Sequence, residues 1–352
     1  MFVKVFVMTH KEFPIPPDPV YIPLQVGRSL SNDLGFLGDH TGDNISDKNR
    51  SFCELTGMYW IWKNLKTEGY VGVCHYRRYP VNEKNLIMTE EEYLSILKEY
   101  EFITTKKLTL NFSYYDGYAA NHNIRDLDVT GEVIREKFPE YYPAFLRLVH
   151  QNQTYFGNII ITSKENFDAY ASWLFAILFE TEERIDISEY DDYHKRVFGF
   201  LSEFLLTVWL DVNRLSVYEI MVGMTSEKYE TMDVKDAIAA YFAKKDLVGA
   251  KKYLQDTLQK RPDILMEASD ITGELKLAMQ MIATFEREYQ ESKSALLDSV
   301  QDFKELVKHF EKVNAIVRRQ KNLTFQTEDL AYLQSRCISK TMLQIAMELM
   351  VK

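Results

Sequence analysis

The chain has 352 residues, 46% hydrophobic and 27% charged, a composition typical of soluble globular proteins and long enough for two domains. Its 42 Lys and Arg are outnumbered by 52 Asp and Glu, and this balance argues against nucleic acid as a partner, because phosphate neutralisation dominates that affinity. No apolar run reaches the about 18 residues of a membrane span, and the N-terminus lacks a signal-peptide pattern, so we expect a cytoplasmic protein.

The first predicted strand runs from Phe2 to Met8, a nearly continuous apolar run with β-branched residues. Thr9 and His10 follow it, at the strand end where ligands bind in open α/β sheets. Four prolines between positions 14 and 19 then exclude regular structure, and the polar, glycine-containing segment 26–41 predicts a loop.

The stretch from Asp43 to Pro80 organises the rest of the prediction. Its first part predicts a helix that Asn44 or Ser46 can cap, with an apolar face formed at three- and four-residue spacing by Phe52, Leu55, Tyr59 and Trp62. Its second part, Val71 to Cys74, predicts a strand buried on both faces. The strand is followed directly by His75, Tyr76, Arg77 and Arg78, which predicts a ligand site at its carboxyl end.

Further elements alternate between helix and strand. Thr89 and Glu92 form a capping box at the start of a helix, Glu101 to Thr105 predicts a strand, and the aromatic and polar segment 106–123 predicts a mobile loop over the site. Predicted helices over 128–138 and 141–150, a strand over 157–162, a helix capped by Ser163 and an apolar helix leading from Arg196 through Glu203 to Trp209 complete this part. The alternation predicts an α/β fold with a largely parallel sheet.

The composition changes near residues 224–232, beyond which only helical patterns occur. We therefore predict an α/β domain over 1–230 and a helical bundle or tetratricopeptide-like domain over 231–352, with helices near 233–242, 246–259, 267–289, 293–320 and 328–351. The segment Lys304–Lys321 is basic and amphipathic, with an apolar stripe of Leu306, Phe310, Val313 and Val317. This stripe either lies on an anionic membrane, at its inner face, or packs inside a bundle or homodimer, and we favour packing.

The chain lacks several familiar site motifs. It has no G-x-G-x-x-G, no P-loop, no H-E-x-x-H and no paired C-x-x-C, and Cys53, Cys74 and Cys337 are expected to be buried, reduced thiols. Asp126 and Asp128 form an Asp-x-Asp that could hold Mg²⁺ or Mn²⁺, but helix starts also favour Asp, and we prefer that structural interpretation. Arg77 and Arg78 can neutralise a diphosphate without metal, because guanidinium groups match phosphate oxygens.

Five blocks of the sequence, in this order, resemble the DUF4422 family: D-N-I-S-D-K-N…F-C-E-L-T-G-M-Y-W-I-W-K-N, V-G-V-C-H-Y-R-R-Y, F-P-E-Y-Y-P-A-F, F-G-N-I-I-I-T…F-D-A-Y-x-x-W-L-F-A-I-L and R-V-F-G-F-L-S-E-F-L-L-x-V-W-L. The resemblance covers roughly residues 1–220. It implies a bacterial glycosyltransferase of capsular polysaccharide or exopolysaccharide synthesis with a GT-A-like, nucleotide-sugar-binding domain. Members resemble β-galactofuranosyltransferases that use UDP-galactofuranose, but the resemblance does not fix which sugar is moved.

The resemblance also implies roles for individual residues. Many GT-A enzymes carry an Asp-x-Asp after a central strand, where this chain carries His75-Tyr-Arg-Arg, so a divalent metal is doubtful. Such enzymes place a base at the start of a helix, for which we assign Glu203, with Asp192 second; a carboxylate near a helix start, favoured by the macrodipole, is an equal alternative for Glu203. The other assignments are donor-binding Thr9, His10, Lys48, His75, Arg77, Arg78 and Arg196, and acceptor-binding or loop residues Tyr118, His122, Asp126 and Asn158.

The implied reaction is an inverting transfer of a hexose, galactofuranose or galactose, from a UDP-sugar to a hydroxyl of a growing glycan. The implied partners are the UDP-sugar and a glycan or lipid-linked oligosaccharide acceptor, with a homodimer through the C-terminal helices and peripheral membrane contact as further options. Two other classes remain open: a non-catalytic sugar-nucleotide or glycan binder, and a scaffold that acts through its helical tail.

Overall fold

The computed structural model describes residues 2–265, 269–335 and 338–349. The chain divides into two compact units, Met1–Thr225 and Ser226–Lys352. Cys337 and the predicted helix ends at Glu267 and Val351 lie outside the described residues.

The first unit is built on a sheet of eight strands. They are β1 (Val3–Thr9), β2 (Tyr21–Gln25), β3 (Leu37–Gly38), β4 (Tyr70–His75), β5 (Arg78–Val81), β6 (Phe102–Thr105), β9 (Ile160–Ser163) and β10 (Val217–Met224), and the order across the sheet is β3-β2-β1-β4-β5-β10-β6-β9, with β9 also pairing with β4. A separate two-stranded sheet joins β7 (Leu108–Thr109) to β8 (Gln153–Thr154).

The sheet is mixed rather than largely parallel. Parallel pairing joins β1 to β2 and β4, β2 to β3, and β6 to β10. In contrast, β5 and β9 are antiparallel to their neighbours. The predicted α/β class is confirmed, and the largely parallel sheet is correct only for part of the strands. For β5 the difference arises because the chain turns back sharply after β4, so that His75 pairs with Arg78 in a tight antiparallel connection.

Eight helices of the first unit have these bounds: α1 (Asn49–Phe52), α2 (Leu55–Asn64), α3 (Glu90–Ile96), α4 (Tyr114–Asn121), α5 (Ile124–Lys137), α6 (Tyr142–Val149), α7 (Lys164–Glu182) and α8 (Val197–Asn213). The predicted apolar face is confirmed: Phe52, Leu55 and Tyr59 are buried in the main core, and Trp62 stacks on Phe175 at 5.8 Å between ring centroids. The capping box of Thr89 with Glu92 and the Ser163 cap are also present.

Two local predictions in this unit were wrong. The helix predicted from Asp43 is broken, and a 3-10 turn at Ser46–Lys48 precedes α1. Ile45 stands at the cap position of this turn and has no polar side chain, while Asn44 accepts from the Ser46 amide at 3.2 Å and the Ser46 hydroxyl donates to Asp39. The segment predicted as a mobile loop over 106–123 contains β7 and helix α4. Helix α4 forms because Ser113 caps its first turn and Tyr114 stacks on Phe204, at 4.4 Å between ring centroids.

The second unit is helical over its described residues, with α9 (Tyr229–Ala243), α10 (Leu247–Lys260), α11 (Glu274–Ser292), α12 (Phe303–Lys321), α13 (Thr327–Ser335) and α14 (Lys340–Leu349). The apolar stripe of α12 is buried in the core of this unit, which is the packing alternative and leaves the stripe unavailable to a membrane surface. Among the helices of the described ranges, none combines the length and apolar character that crossing a membrane requires.

Candidate functional site

Strands β1, β2 and β4 bring their carboxyl ends to one edge of the sheet. Thr9 lies opposite Gln25 in the register, and Met8 lies opposite His75. The His10 ring packs edge-on against Tyr76, with 5.4 Å between ring centroids. The sequence-predicted residues His10 and His75 thus lie at the same edge, next to the Arg77 and Arg78 turn. Parallel strands that end together leave a crevice beyond the sheet, where ligands bind in α/β proteins.

His75 is held by a backbone carbonyl from the segment that precedes β9. Its Nε2 lies 2.6 Å from the carbonyl oxygen of Gly157, which can only accept a hydrogen bond. The proton is therefore on Nε2, and Nδ1 carries the lone pair. Burial lowers the pKa of His75 below its usual range, partly offset by the negative charge of Glu54. The imidazole is thus fixed by Gly157, and burial favours its neutral form.

Glu203 lies in the second turn of α8 and is only partly accessible. Its Oε1 accepts a hydrogen bond from the backbone amide of Gly157 at 2.9 Å. Burial raises the pKa of Glu203 to about 7, and the negative charge of Glu54 adds to the rise, whereas Gly157, Arg78 and Arg196 act in the opposite direction. A carboxylate with a pKa near neutrality is suited to take up a proton in a reaction.

Gly157 and Asn158 form the connection between these groups. Both have left-handed backbone conformations, with φ of 93° and 47°. The Asn158 side chain donates from Nδ2 to Glu54 Oε1 at 2.7 Å and to Ser202 Oγ at 2.9 Å. Asn158, expected from the sequence to contact the acceptor or a loop, therefore anchors the surroundings of Glu203. A positive φ is ordinary for glycine and uncommon for other residues, so Asn158 is the unusual backbone position of the two.

The two arginines at the end of β4 have different surroundings. Arg78 begins β5, and its Nη1 lies 3.7 Å from the position that a Cβ on Gly157 would occupy. Its positive charge acts on Glu203, as the pKa of that carboxyl reflects. The guanidinium of Arg77 lies 5.3 Å from the Tyr76 ring, and its buried Nε has no hydrogen-bond partner within the described residues. A buried guanidinium donor without a protein acceptor is suited to an anionic ligand.

Arg196 approaches the same cluster from the residue before α8. Its Nε lies 3.4 Å from Sγ of Cys53, and its guanidinium lies 5.4 Å from the Phe200 ring. Burial raises the pKa of the Cys53 thiol to about 11, so this thiol is protonated at neutral pH. Cys53 and the buried Cys74 are both free, as expected, although Cys53 is only half-buried.

An aromatic cluster lies beside Arg196. The His122 ring is 4.3 Å from Phe200, 4.8 Å from Tyr118 and 5.8 Å from Tyr193, measured between centroids. Burial lowers the pKa of His122 to about 4, helped by the charges of His194 and Arg196. His122, Phe200 and Tyr193 are partly exposed, so they offer a neutral aromatic surface of the kind that stacks on sugar rings.

The Asp126-Leu127-Asp128 pair does not have the geometry of a shared metal site. Both residues lie in α5 two positions apart, which places them on nearly opposite sides of the helix. Asp126 is buried and accepts from the Tyr190 hydroxyl at 3.0 Å, and Asp128 accepts from the Tyr115 hydroxyl at 3.1 Å. Within the described ranges, no three His, Cys, Asp or Glu residues are grouped to hold a metal ion.

Three other residues that the sequence suggested for the site, Lys48, Thr9 and Asp192, differ in their contacts and exposure. Lys48, which the sequence suggested as a donor-binding residue, forms an ion pair with Glu182 at 2.7 Å. Its ammonium group therefore already has a protein partner. The buried Thr9 hydroxyl donates to the carbonyl of Lys11 and so shapes the turn after β1. Asp192 is exposed in the loop before α8, where it is the neighbouring Asp191 that caps the turn by accepting from the amides of Tyr193 and His194.

Sequence reasoning missed two polar groups of this cluster, Glu54 and Ser202. Glu54 fell within a predicted continuous helix, whereas the structure separates α1 from α2 at Cys53, where φ is 51°. No glycine or proline marks this break, so the sequence carried no signal for it. Ser202 precedes Glu203 in an apolar helix and bonds the carbonyl of Gly199, as ordinary core serines do.

Comparison with known proteins gives two matches. The model of the family described as "Domain of unknown function (DUF4422)" matches residues 4–214. The structure is similar to a solved structure described as "WbbM bifunctional glycosytransferase apo structure", with a TM-score of 0.61 and 29% sequence identity over 64% of this chain. This chain spans 45% of the length of that protein. None of the curated proteins matches the chain.

Proposed function

Because the chain belongs to the DUF4422 family, we propose that it is a glycosyltransferase whose first unit binds a UDP-sugar at the carboxyl ends of β1 and β4. The likeness to a bifunctional glycosyltransferase supports the reaction class. The observation that carries the proposal is Glu203, a carboxylate with a pKa near neutrality on which the charges of Arg78 and Arg196 act. A general base next to cations is the arrangement that transfer from a sugar diphosphate requires.

In this proposal the diphosphate lies against Arg77 and Arg78, and Arg196 adds positive charge to the site. Neutral His75, with its Nε2 proton committed to Gly157, shapes the same edge. The sugar C1 faces Glu203, and the acceptor hydroxyl enters between them. The carboxylate takes the hydroxyl proton as the new oxygen–C1 bond forms, and the C1–phosphate oxygen bond breaks with its electron pair on UDP. Attack from the face opposite the leaving group inverts the configuration at C1.

The GT-A-like nature of the first unit, the UDP-sugar and the role in cell-surface polysaccharide synthesis belong to this proposal. The transferred sugar is proposed to be galactofuranose or galactose. The partly exposed rings of His122, Tyr193 and Phe200 are proposed to receive the glycan acceptor, because aromatic faces pack on the apolar sides of sugar rings, whereas Tyr118 is buried. The Asp126 and Asp128 geometry does not fit a metal on the diphosphate, so the proposed charge neutralisation depends on the arginines.

We expect UDP and one or more UDP-hexoses to raise the melting temperature of the 352-residue chain, and uridine to raise it much less. A ligand present at 100 times its dissociation constant adds about 2.7 kcal/mol of stability. The measurement is a thermal-shift panel of UDP-, GDP- and dTDP-sugars with the free nucleotides. If no nucleoside diphosphate shifts melting at millimolar concentration, the proposed donor site is wrong. Binding without any release of UDP from a UDP-sugar favours a non-catalytic binder.

A further inference from the structure

Glu54 is a carboxylate near Glu203 that has no role in the proposed reaction. It lies in the break between α1 and α2, directly after Cys53, which has a φ of 51° that residues other than glycine rarely adopt. The Cys53 thiol would lie 3.3 Å from a Cβ at Gly199 of α8, so the two segments pack closely there. The break thus turns Glu54 toward the residues around Glu203.

The carboxylates of Glu54 and Glu203 accept hydrogen bonds from two adjacent residues, Asn158 and Gly157. Glu54 accepts from the Asn158 side chain at 2.7 Å, and Glu203 accepts from the Gly157 amide at 2.9 Å. The other proton of the Asn158 amide is donated to Ser202, so both donors of that group are used. Since Asn158 has a φ of 47°, its side-chain contacts are what hold an otherwise rare conformation in place.

We propose that Glu54 is a positioning residue: through Asn158 it fixes the Gly157 amide against Glu203, and its charge disfavours a second carboxylate charge beside it. This inference rests on the proposed function for its effect on turnover. Its effect on Glu203 itself requires no substrate. The bond from the Gly157 amide holds the Glu203 carboxylate in place, and the charge of Glu54 keeps that carboxylate basic enough to accept a proton at neutral pH.

The charges around Glu203 support this role. Those that face it are Arg78 from β5, Arg196 from the residue before α8, and Glu54 with the protonated Cys53 from the break between α1 and α2, together with the Tyr114 phenol of α4. His75 and Arg77 lie nearby on the β4 side. Within this set of facing groups, Glu54 is the carboxylate, and it acts on Glu203 in the direction opposite to the arginines. Removing its charge therefore leaves Glu203 facing arginines alone.

The test is Glu54→Gln, which keeps an oxygen for the Asn158 bond and removes the charge. We expect carbon-13 NMR titration of the 352-residue chain to show the pKa of Glu203 falling by about one unit or more from its wild-type value of about 7. With an active donor, the acid limb of the kcat/KM profile should move to lower pH by the same amount. Glu54→Asp keeps the charge, so it should shift the acid limb and the pKa of Glu203 less than Glu54→Gln does.

Glu132→Gln on α5 is the matched control, because Glu132 is an exposed partner of Arg125, and it should leave both readouts unchanged. An unchanged titration of Glu203 in Glu54→Gln would overturn the inference, whether or not the enzyme is active. If the wild-type protein turns over no donor while the titration shifts, the proposed function fails and the electrostatic role of Glu54 remains. If Glu54→Gln does not fold, Asn158→Ala takes its place, because it keeps the charge of Glu54 and removes the side-chain bond to it. Loosening the Gly157 amide should then raise the pKa of Glu203, and an unchanged titration of Glu203 in Asn158→Ala would overturn the positioning role.

Discussion

Glu203→Gln is expected to reduce turnover of the UDP-sugar by about 10²–10⁴-fold while UDP affinity stays nearly the same. Glutamine has the shape of glutamate and an oxygen that can still accept from the Gly157 amide, but it cannot take up the acceptor proton. The loss should therefore appear in kcat rather than in binding. The measurement is steady-state kinetics of UDP release together with calorimetric titration of UDP.

The pH dependence of the same reaction follows from the pKa of Glu203. Burial and the Glu54 charge raise this pKa to about 7, so the carboxylate loses its ability to accept a proton as pH falls below that value. Wild-type activity should therefore have an acid limb near pH 7. The raised pKa also means that the folded protein favours the protonated form of Glu203. Protonated Glu203 therefore contributes to the free energy of unfolding below pH 4.5, and this contribution is lost as pH rises through about 7. Glu203→Gln should remove that loss.

Asp192→Asn is the control for Glu203→Gln, because Asp192 was the second carboxylate that the sequence suggested and it is exposed in the loop before α8. This variant should keep turnover near that of the wild type. If Asp192→Asn alone abolishes turnover, the base has been assigned to the wrong carboxylate.

Arg77→Ala and Arg78→Ala should each weaken UDP binding by about 1.5–3 kcal/mol, which is the range for hydrogen bonds to charged groups. Uridine, which lacks the diphosphate, should bind all three proteins with similar affinity. The two variants should differ in their pH dependence. The charge of Arg78 lowers the pKa of Glu203, so Arg78→Ala should also move the acid limb of activity to higher pH. Calorimetric titration of UDP and uridine measures the first effect, and the pH profile of kcat/KM measures the second.

Arg125→Ala is the control for both arginine variants, because Arg125 pairs with Glu132 on the exposed side of α5. It should leave UDP binding unchanged. Equal losses of UDP and uridine affinity in Arg77→Ala or Arg78→Ala would mean that the arginine stabilises the fold rather than the diphosphate.

The parts of the fold that the sequence predicted well are those with a strong local pattern. The apolar run of β1, the run of β4 and the capping box at Thr89 each have a single physical interpretation, and all are present. Strand β10 was missed because its residues are mostly half-exposed and show no clear alternation. Helix α4 was missed because Gly117 and scattered aromatic residues hide its period, and the packing of Tyr114 on Phe204 comes from a distant segment.

The same distinction applies to the site. The residues at a strand end, His75 with Arg77 and Arg78, could be located from the sequence because strand ends are defined by local hydrophobicity. The grouping of Glu203 with Glu54 and Asn158 could not, since it joins residues up to 149 positions apart through two left-handed backbone positions. The ion pair of Lys48 with Glu182 is likewise a contact across 134 positions that no local pattern indicates.

The most direct test of the central claim is a crystal structure of the 352-residue chain with UDP bound. We expect the diphosphate oxygens within hydrogen-bonding distance of Arg77 and Arg78, at the carboxyl end of β4, with the β-phosphate on the side of Glu203. The carboxylate of Glu203 should remain open to an incoming acceptor. A nucleotide bound elsewhere on the chain, or one whose base or ribose covers Glu203, would contradict the account.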